Sequence, residues 1–284
     1  MQAILQIKIN LNFMNRLLLP IIFLVLATNY SYAQSGGLSV NPATIDFTLG
    51  AGQTAIAKLQ ISNTLQERKS LKIYFEDFYR DSLGRHIYQK PGTFSHSCAN
   101  WITLDKPFVD LQPNETVTLN IRMAVPDSAG AASEMKWTML FLETVNEMVA
   151  PVASDVKRAT AITDQMRMGV HVYQTPPLMS KEIKMLAFKS VPNEKGHYII
   201  GCQNTGGTQM RVSAYLELSP LEGGENAKKI KVGPKRFPIF PEQKRYVDLV
   251  LPNDVPKGKY TIIGALDAGS DVPLAASQAV IEVK

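Results

Sequence analysis

The chain has 284 residues, 45% hydrophobic, 19% charged and 8% aromatic, with a formal net charge of +5. That is the composition of a folded protein, and removing a leader that carries Lys8 and Arg16 lowers the charge to +3. Basic residues are dispersed apart from Lys228, Lys229, Lys231, Lys235 and Arg236, and no aromatic-rich nucleic-acid motif accompanies them, so no nucleic-acid partner is expected.

Residues 1–33 read as a signal peptide. Lys8 and Arg16 give a positive start, Leu17 to Ala27 is an apolar run too short to span a bilayer comfortably, and Ser31-Tyr32-Ala33 sets cleavage after Ala33. Met14 opens an equally complete leader, MNRLLLP. No Cys follows the cleavage site to take a lipid, and no later apolar run reaches spanning length. A periplasmic or secreted protein is expected, without an integral membrane segment once the leader is gone.

After the leader, apolar residues recur at period two. Leu38 and Val40, then Ile45, Phe47 and Leu49, then Ile56, Leu59 and Ile61 after one irregularity, then Leu71, Ile73 and Phe75 mark successive strands. Asp81-Ser82-Leu83-Gly84 reads as the turn of a hairpin joining FEDFYR to RHIYQK. Trp101 to Leu104 opens an edge-like segment, VDLQPNETVTLNIRMAVP supplies a turn and a strand, and EMKWTMLFLETV a long strand. Val145 to Gln165 lacks periodicity and reads as a long, mobile loop. Met166 to Tyr173 returns to a strand with Met166, Met168, Val170 and Val172 on one face, and Thr175-Pro176-Pro177 ends it.

The second half repeats this grammar. Strands are expected at Ile183 to Ser190, His197 to Asn204, Met210 to Leu218, Lys228 to Val232, Arg245 to Leu251, Lys259 to Asp267 and Ser277 to Val283. The breakers between them include Asn204-Thr205-Gly206-Gly207, Glu222-Gly223-Gly224 and Phe237-Pro238-Ile239-Phe240-Pro241. The fold class is therefore all-β, two immunoglobulin-like β-sandwich domains in tandem, at 34–177 and 178–284.

Catalytic signals are weak. His86, His96, His171 and His197 belong to no metal-binding or nucleophile motif, and His96-x-Cys98 is the nearest thing to a ligand pair. Glu76 and Asp77 are adjacent on a strand and so face opposite ways. Cys98 reads as a loop thiol and Cys202 as a buried one, in different domains. Tyr74, Phe75, Phe78, Tyr79 and Tyr88 read as cross-strand packing around the early hairpin. Neither a cofactor nor a metal is expected, and the chain reads as a non-enzymatic binding protein.

Taken in order, LSVNPATIDF, the strand into ISN, WITLDKPFVDLQPNETVTLNIRMAVP, WTMLFLET and GVHVYQTPP resemble the N-terminal domain of the periplasmic pilus-assembly, PapD-like, chaperones. The resemblance implies a last strand that faces a cleft and receives a partner protein's missing strand, with Met166, Met168, Val170, His171 and Val172 as contact residues. In that family an Arg of the first strand and a Lys of the last anchor the partner's terminal carboxylate; Thr44 and His171 stand at those places here. The layout is also similar to the two-domain proteins that partner W-x-L proteins on Gram-positive walls, through Asn204-Thr205-Gly206 and Pro256-Lys257-Gly258-Lys259-Tyr260. The expected function is chaperone-like holding or assembly of exported or surface-structure subunits by strand addition. The alternative is a cell-envelope adaptor that binds a surface protein or peptidoglycan.

Overall fold

A computed structural model describes residues 37–128, 130–145, 165–222 and 228–284. The expected loop from Val145 to Gln165 lies almost wholly outside the described residues, as do the two glycines of Glu222-Gly223-Gly224.

The first ten strands are β1 (Leu38–Asn41), β2 (Thr44–Thr48), β3 (Thr54–Asn63), β4 (Lys69–Arg80), β5 (His86–Gln89), β6 (Ile102–Leu104), β7 (Phe108–Leu111), β8 (Thr116–Ala124), β9 (Lys136–Thr144) and β10 (Arg167–Thr175). One sheet runs β1-β3-β8-β6 and the other β2-β10-β9-β4-β5, with β7 also on β4. β1 and β2 thus join different sheets, and the chain changes sheet around Pro42, which has no N–H to give to either ladder. The inward residues of both sheets, among them Leu59, Ile61, Leu119, Ile121, Leu140 and Leu142, interlock in one core.

Seven more strands build the second sandwich: β11 (Ile183–Ser190), β12 (His197–Asn204), β13 (Met210–Pro220), β14 (Ile230–Ile239), β15 (Lys244–Val250), β16 (Gly258–Asp267) and β17 (Ala275–Val283). Their sheets run β11-β12-β15 and β14-β13-β16-β17 around a separate core that includes Ile200, Val212, Leu216 and Ile262. Two immunoglobulin-like β-sandwiches in tandem are the result.

The same side chain locks one pole of each sandwich. Asn63, the last residue of β3, is buried and donates through Nδ2 to the carbonyls of Glu67 (2.8 Å) and Gln112 (3.1 Å) while its Oδ1 accepts from Leu65 N–H (3.0 Å). Asn204, the last residue of β12, donates to Thr208 O (2.8 Å) and Ile239 O (3.1 Å) and accepts from Gly206 N–H (2.9 Å). Gly206 has no room for a side chain, because a Cβ there would lie 2.6 Å from Ser180 O and 2.7 Å from Glu182 N.

Three local expectations need correction. Ile56 is 63% exposed, because β3 pairs with β8 without a register shift from Thr54 to Ser62, so alternation back from Leu59 puts Ala57 and Ala55 inside. Phe237-Pro238-Ile239 does not break the chain. It completes β14, where Phe237 and Ile239 are buried, and Pro234 and Pro238 are tolerated because β14 is an edge strand. Cys98 does lie in a loop, just before the short 3-10 turn Ala99–Trp101, but it is fully buried in the first core rather than exposed. Both cysteines are free, and burial raises the Cys98 thiol far above its usual range and the Cys202 thiol to about 12.

A third apolar cluster lies outside both cores and joins the sandwiches. Phe240, just beyond β14, is 2% exposed and packs among first-domain aromatics, with ring centroids 4.8 Å from Trp137, 5.7 Å from Phe78 and 5.8 Å from Tyr173. Backbone bonds flank it, from Met135 N–H to Gly207 O (2.9 Å) and from Tyr246 N–H to Ser82 O (2.9 Å). Phe240→Ala is expected to cost about 3–5 kcal/mol, read from urea unfolding followed by tryptophan fluorescence. Ile56→Ala, on the exposed face, is expected to stay within about 0.5 kcal/mol of the wild type.

Candidate functional site

β10 is paired unequally on its two sides. Against β9 its ladder is complete from Arg167 to Gln174, whereas the parallel ladder with β2 covers only His171 to Thr175. His171 N–H donates to Ala43 O (3.1 Å), so by alternation the N–H groups of Gly169 and Arg167 also point to that side. No described strand meets them there. Among the described residues, the first half of β10 therefore has a backbone edge without a partner strand, which runs straight into the ladder with β2.

The expected contact residues divide along this strand. Met166 is 43% exposed and Met168 is half-buried against the first core. Val170 and Val172 are both fully buried in that core, so they do not line pockets for a partner; they hold β10 to its own sandwich. Alternation had marked the right face but could not say that the protein's own core fills it. Arg167 reaches over the opposite face, where its guanidinium lies 3.4 Å from the Phe141 ring centroid and 2.6 Å from Glu76. Glu76 and Asp77 do turn opposite ways: Asp77 is buried and accepts from Thr93 N–H (3.0 Å), Phe94 N–H (3.1 Å) and Ser97 Oγ–H (2.5 Å).

Thr44 and His171 are register partners, side by side at the point where the open edge ends. Both line a cavity of about 560 Å³ between the two sandwiches. Its walls carry Arg80 and Asp46 from the first domain and Arg211 and Arg236 from the second. Burial raises the Asp46 carboxyl above its usual value. Burial also lowers the Arg80 guanidinium, whose Nε is buried without a hydrogen-bond partner among the described residues. Arg245 stands close enough to Arg80 to be lowered by its charge, after burial, and its Nε is likewise unpartnered. Three arginines and one carboxylate leave the lining of this cleft net cationic.

Two imidazoles meet at the edge of the cleft. His86 Nε2 and His171 Nε2 are 3.5 Å apart, and Phe78 presents its face or edge to both rings, at 5.0 and 5.6 Å. Burial, the Arg80 charge and the His171 ring push His86 down to about 4, and burial followed by Arg80 lowers His171. Of the other histidines, His96 is buried between Ser95 and Glu134, and His197 bridges Glu194 and Asp248.

Sequence reasoning placed Thr44 and His171 together but missed Arg80, Arg211, Arg236 and His86. Arg236 stood out only as one of the basic cluster with Lys228, Lys229, Lys231 and Lys235. Arg211 alternates with the inward Met210 and Val212, a signal that gives its outward direction but not the domain it faces.

No family model matches the sequence, and no curated protein matches it. Solved structures do. A chaperone–tip adhesin complex of CFA/I fimbriae contains a chain 11% identical, matched over 85% of this chain and 98% of that one with a TM-score of 0.51. The class 5 fimbriae chaperone CfaA is 11% identical over 86% and 98%, with a TM-score of 0.49. The CsuC–CsuE chaperone–tip subunit pre-assembly complex of Acinetobacter baumannii gives 11% over 86% and 97%, with a TM-score of 0.45. The first of these decides the architecture. This chain shares the fold of that chain of the fimbrial chaperone–adhesin complex. Thr44 and His171 line the cleft side by side, and its cations come from other strands.

The neutral imidazoles set a pH dependence. In the unfolded chain a histidine takes a proton near pH 6.5, whereas folded His86 takes one only near pH 4. Between those limits the unfolded state binds more protons, so stability falls as pH falls. Urea midpoints measured from pH 7 down to pH 4 are expected to drop for the wild type and to drop less for His86→Gln.

Proposed function

We propose that this chain is an exported, non-enzymatic, chaperone-like factor that holds or assembles secreted or surface-structure subunits by β-strand addition. Residues 1–33 are its leader, 34–177 the strand-accepting domain and 178–284 the second sandwich, and the periplasm is its compartment. One observation carries the reading: the unpaired half of β10 leads directly into a cleft lined by Arg80, Arg211 and Arg236. An extended client segment that pairs with Arg167 and Gly169 would be carried toward Thr44 and His171, where its terminal carboxylate meets cations instead of bulk water. Met166 and Met168 supply adaptable contacts at the start of the edge. Val170 and Val172 keep the strand in place.

The two elements can be tested separately. Gly169→Pro removes an outward N–H while leaving the N–H groups directed at β9; its Cβ would lie 3.1 Å from Met139 Sδ and 3.2 Å from a Phe141 ring carbon, so both side chains must give way by a few tenths of an ångström, and circular dichroism checks that the variant folds. Arg211→Glu reverses one charge of the cleft. Capture from envelope extract, with mass spectrometry of what is retained, is expected to show an exported subunit on the wild type. Gly169→Pro is expected to lose it, and Arg211→Glu to weaken it by about tenfold or more. A partner kept equally by all three proteins would refute strand addition and move the contact to the loops or the second domain, as an envelope adaptor requires.

A further inference from the structure

His86 and His171 are 85 positions apart in sequence, yet their Nε2 atoms converge to 3.5 Å. Two imidazole nitrogens on one tetrahedral ion, each about 2.0–2.1 Å from it, stand roughly 3.4 Å apart. The pair already has the spacing of a chelate. The rings are also held in place: Tyr88 stacks on His86 at 5.8 Å with 12° between planes, Phe78 packs against both, and the His171 backbone is fixed between β9 and β2. At 3.5 Å the contact also suits a long hydrogen bond, so binding an ion requires the proton between the rings to leave and both lone pairs to turn toward one point.

We propose that His86 and His171 form a two-histidine site for a borderline divalent cation of the Zn²⁺ type. Imidazole ligands favour such ions over Mg²⁺ or Ca²⁺, which prefer oxygen. No His, Cys, Asp or Glu completes a group of three around the pair among the described residues, so the chain supplies two ligands and leaves the remaining positions open. His171 lines the cleft, which gives the ion a route in and places the open positions next to the cationic lining. Arg80, whose charge acts on both rings, repels a bare cation. The group that completes the coordination is accordingly an anion, a carboxylate or hydroxide, which offsets that repulsion. The inference stands on the geometry of the two rings and holds whether or not a client strand adds to β10.

Calorimetric titration of the tag-free mature protein with Zn²⁺ alone tests it, with Co²⁺ added separately to read tetrahedral coordination in the visible spectrum. Loss of a mere supporting group of a metal site costs about 10–100-fold in affinity, so His86→Gln and His171→Gln are each expected to weaken Zn²⁺ binding by at least about tenfold and to abolish the Co²⁺ bands. His197→Gln, which alters a histidine engaged with Glu194 and Asp248, is expected to leave both readouts unchanged. Wild-type affinity in either His86→Gln or His171→Gln, or no Zn²⁺ binding by the wild type, overturns the proposal. Should His171→Gln fail to fold, His86→Gln on the short edge strand β5 decides alone.

Discussion

The seating of Phe240 among the aromatic rings of the first domain is the contact on which the rest of the molecule depends. Each sandwich has its own core, but a cleft exists only if the two are held at a fixed distance and angle. The rings of Trp137, Phe78 and Tyr173 surround Phe240, and main-chain bonds at Met135 and Tyr246 flank it. Apolar burial supplies the adhesion, and the directional bonds select one orientation. Arg211 and Arg236 face Arg80, Thr44 and His171 because that orientation is imposed.

Around this joint the first domain leaves one backbone edge unfinished. Neutralising an edge is what most sheets do, and the second domain illustrates it: β14 carries Pro234, Pro238, Lys231, Lys235 and Arg236 along its length. Among the described residues, no strand or proline covers the first half of β10 on the side of β2, while Val170 and Val172 secure the strand from beneath. A strand that is immobile and yet half-paired presents its hydrogen-bonding groups without first having to be ordered, which lowers the entropic cost of pairing.

Much of this architecture was legible from period two alone. The limits of β11 and β12 follow directly from the alternation and its flanking breakers, since a strand between two packed layers can hardly be written otherwise. Ile56 misled because alanine is nearly silent in such a pattern: Ala55 and Ala57 fill the inside while the larger side chain faces out. The burial of Cys98 was hidden because its polar neighbours give no sign that this loop packs into the first core. The site was harder to read for a different reason. Arg80, Arg211, His86 and His171 converge from four separate strands, and periodicity reports which way a residue points on its own strand, never what stands opposite.

The paired asparagines at the poles of the sandwiches bear on how far such a chain can drift. Asn63 and Asn204 hold their loops by gripping main-chain carbonyls, which every amino acid possesses, rather than by fitting particular side chains. The residues of those loops are therefore free to change so long as one amide at the end of one strand stays. Locking shape through the common backbone leaves wide room for the loop side chains to diverge.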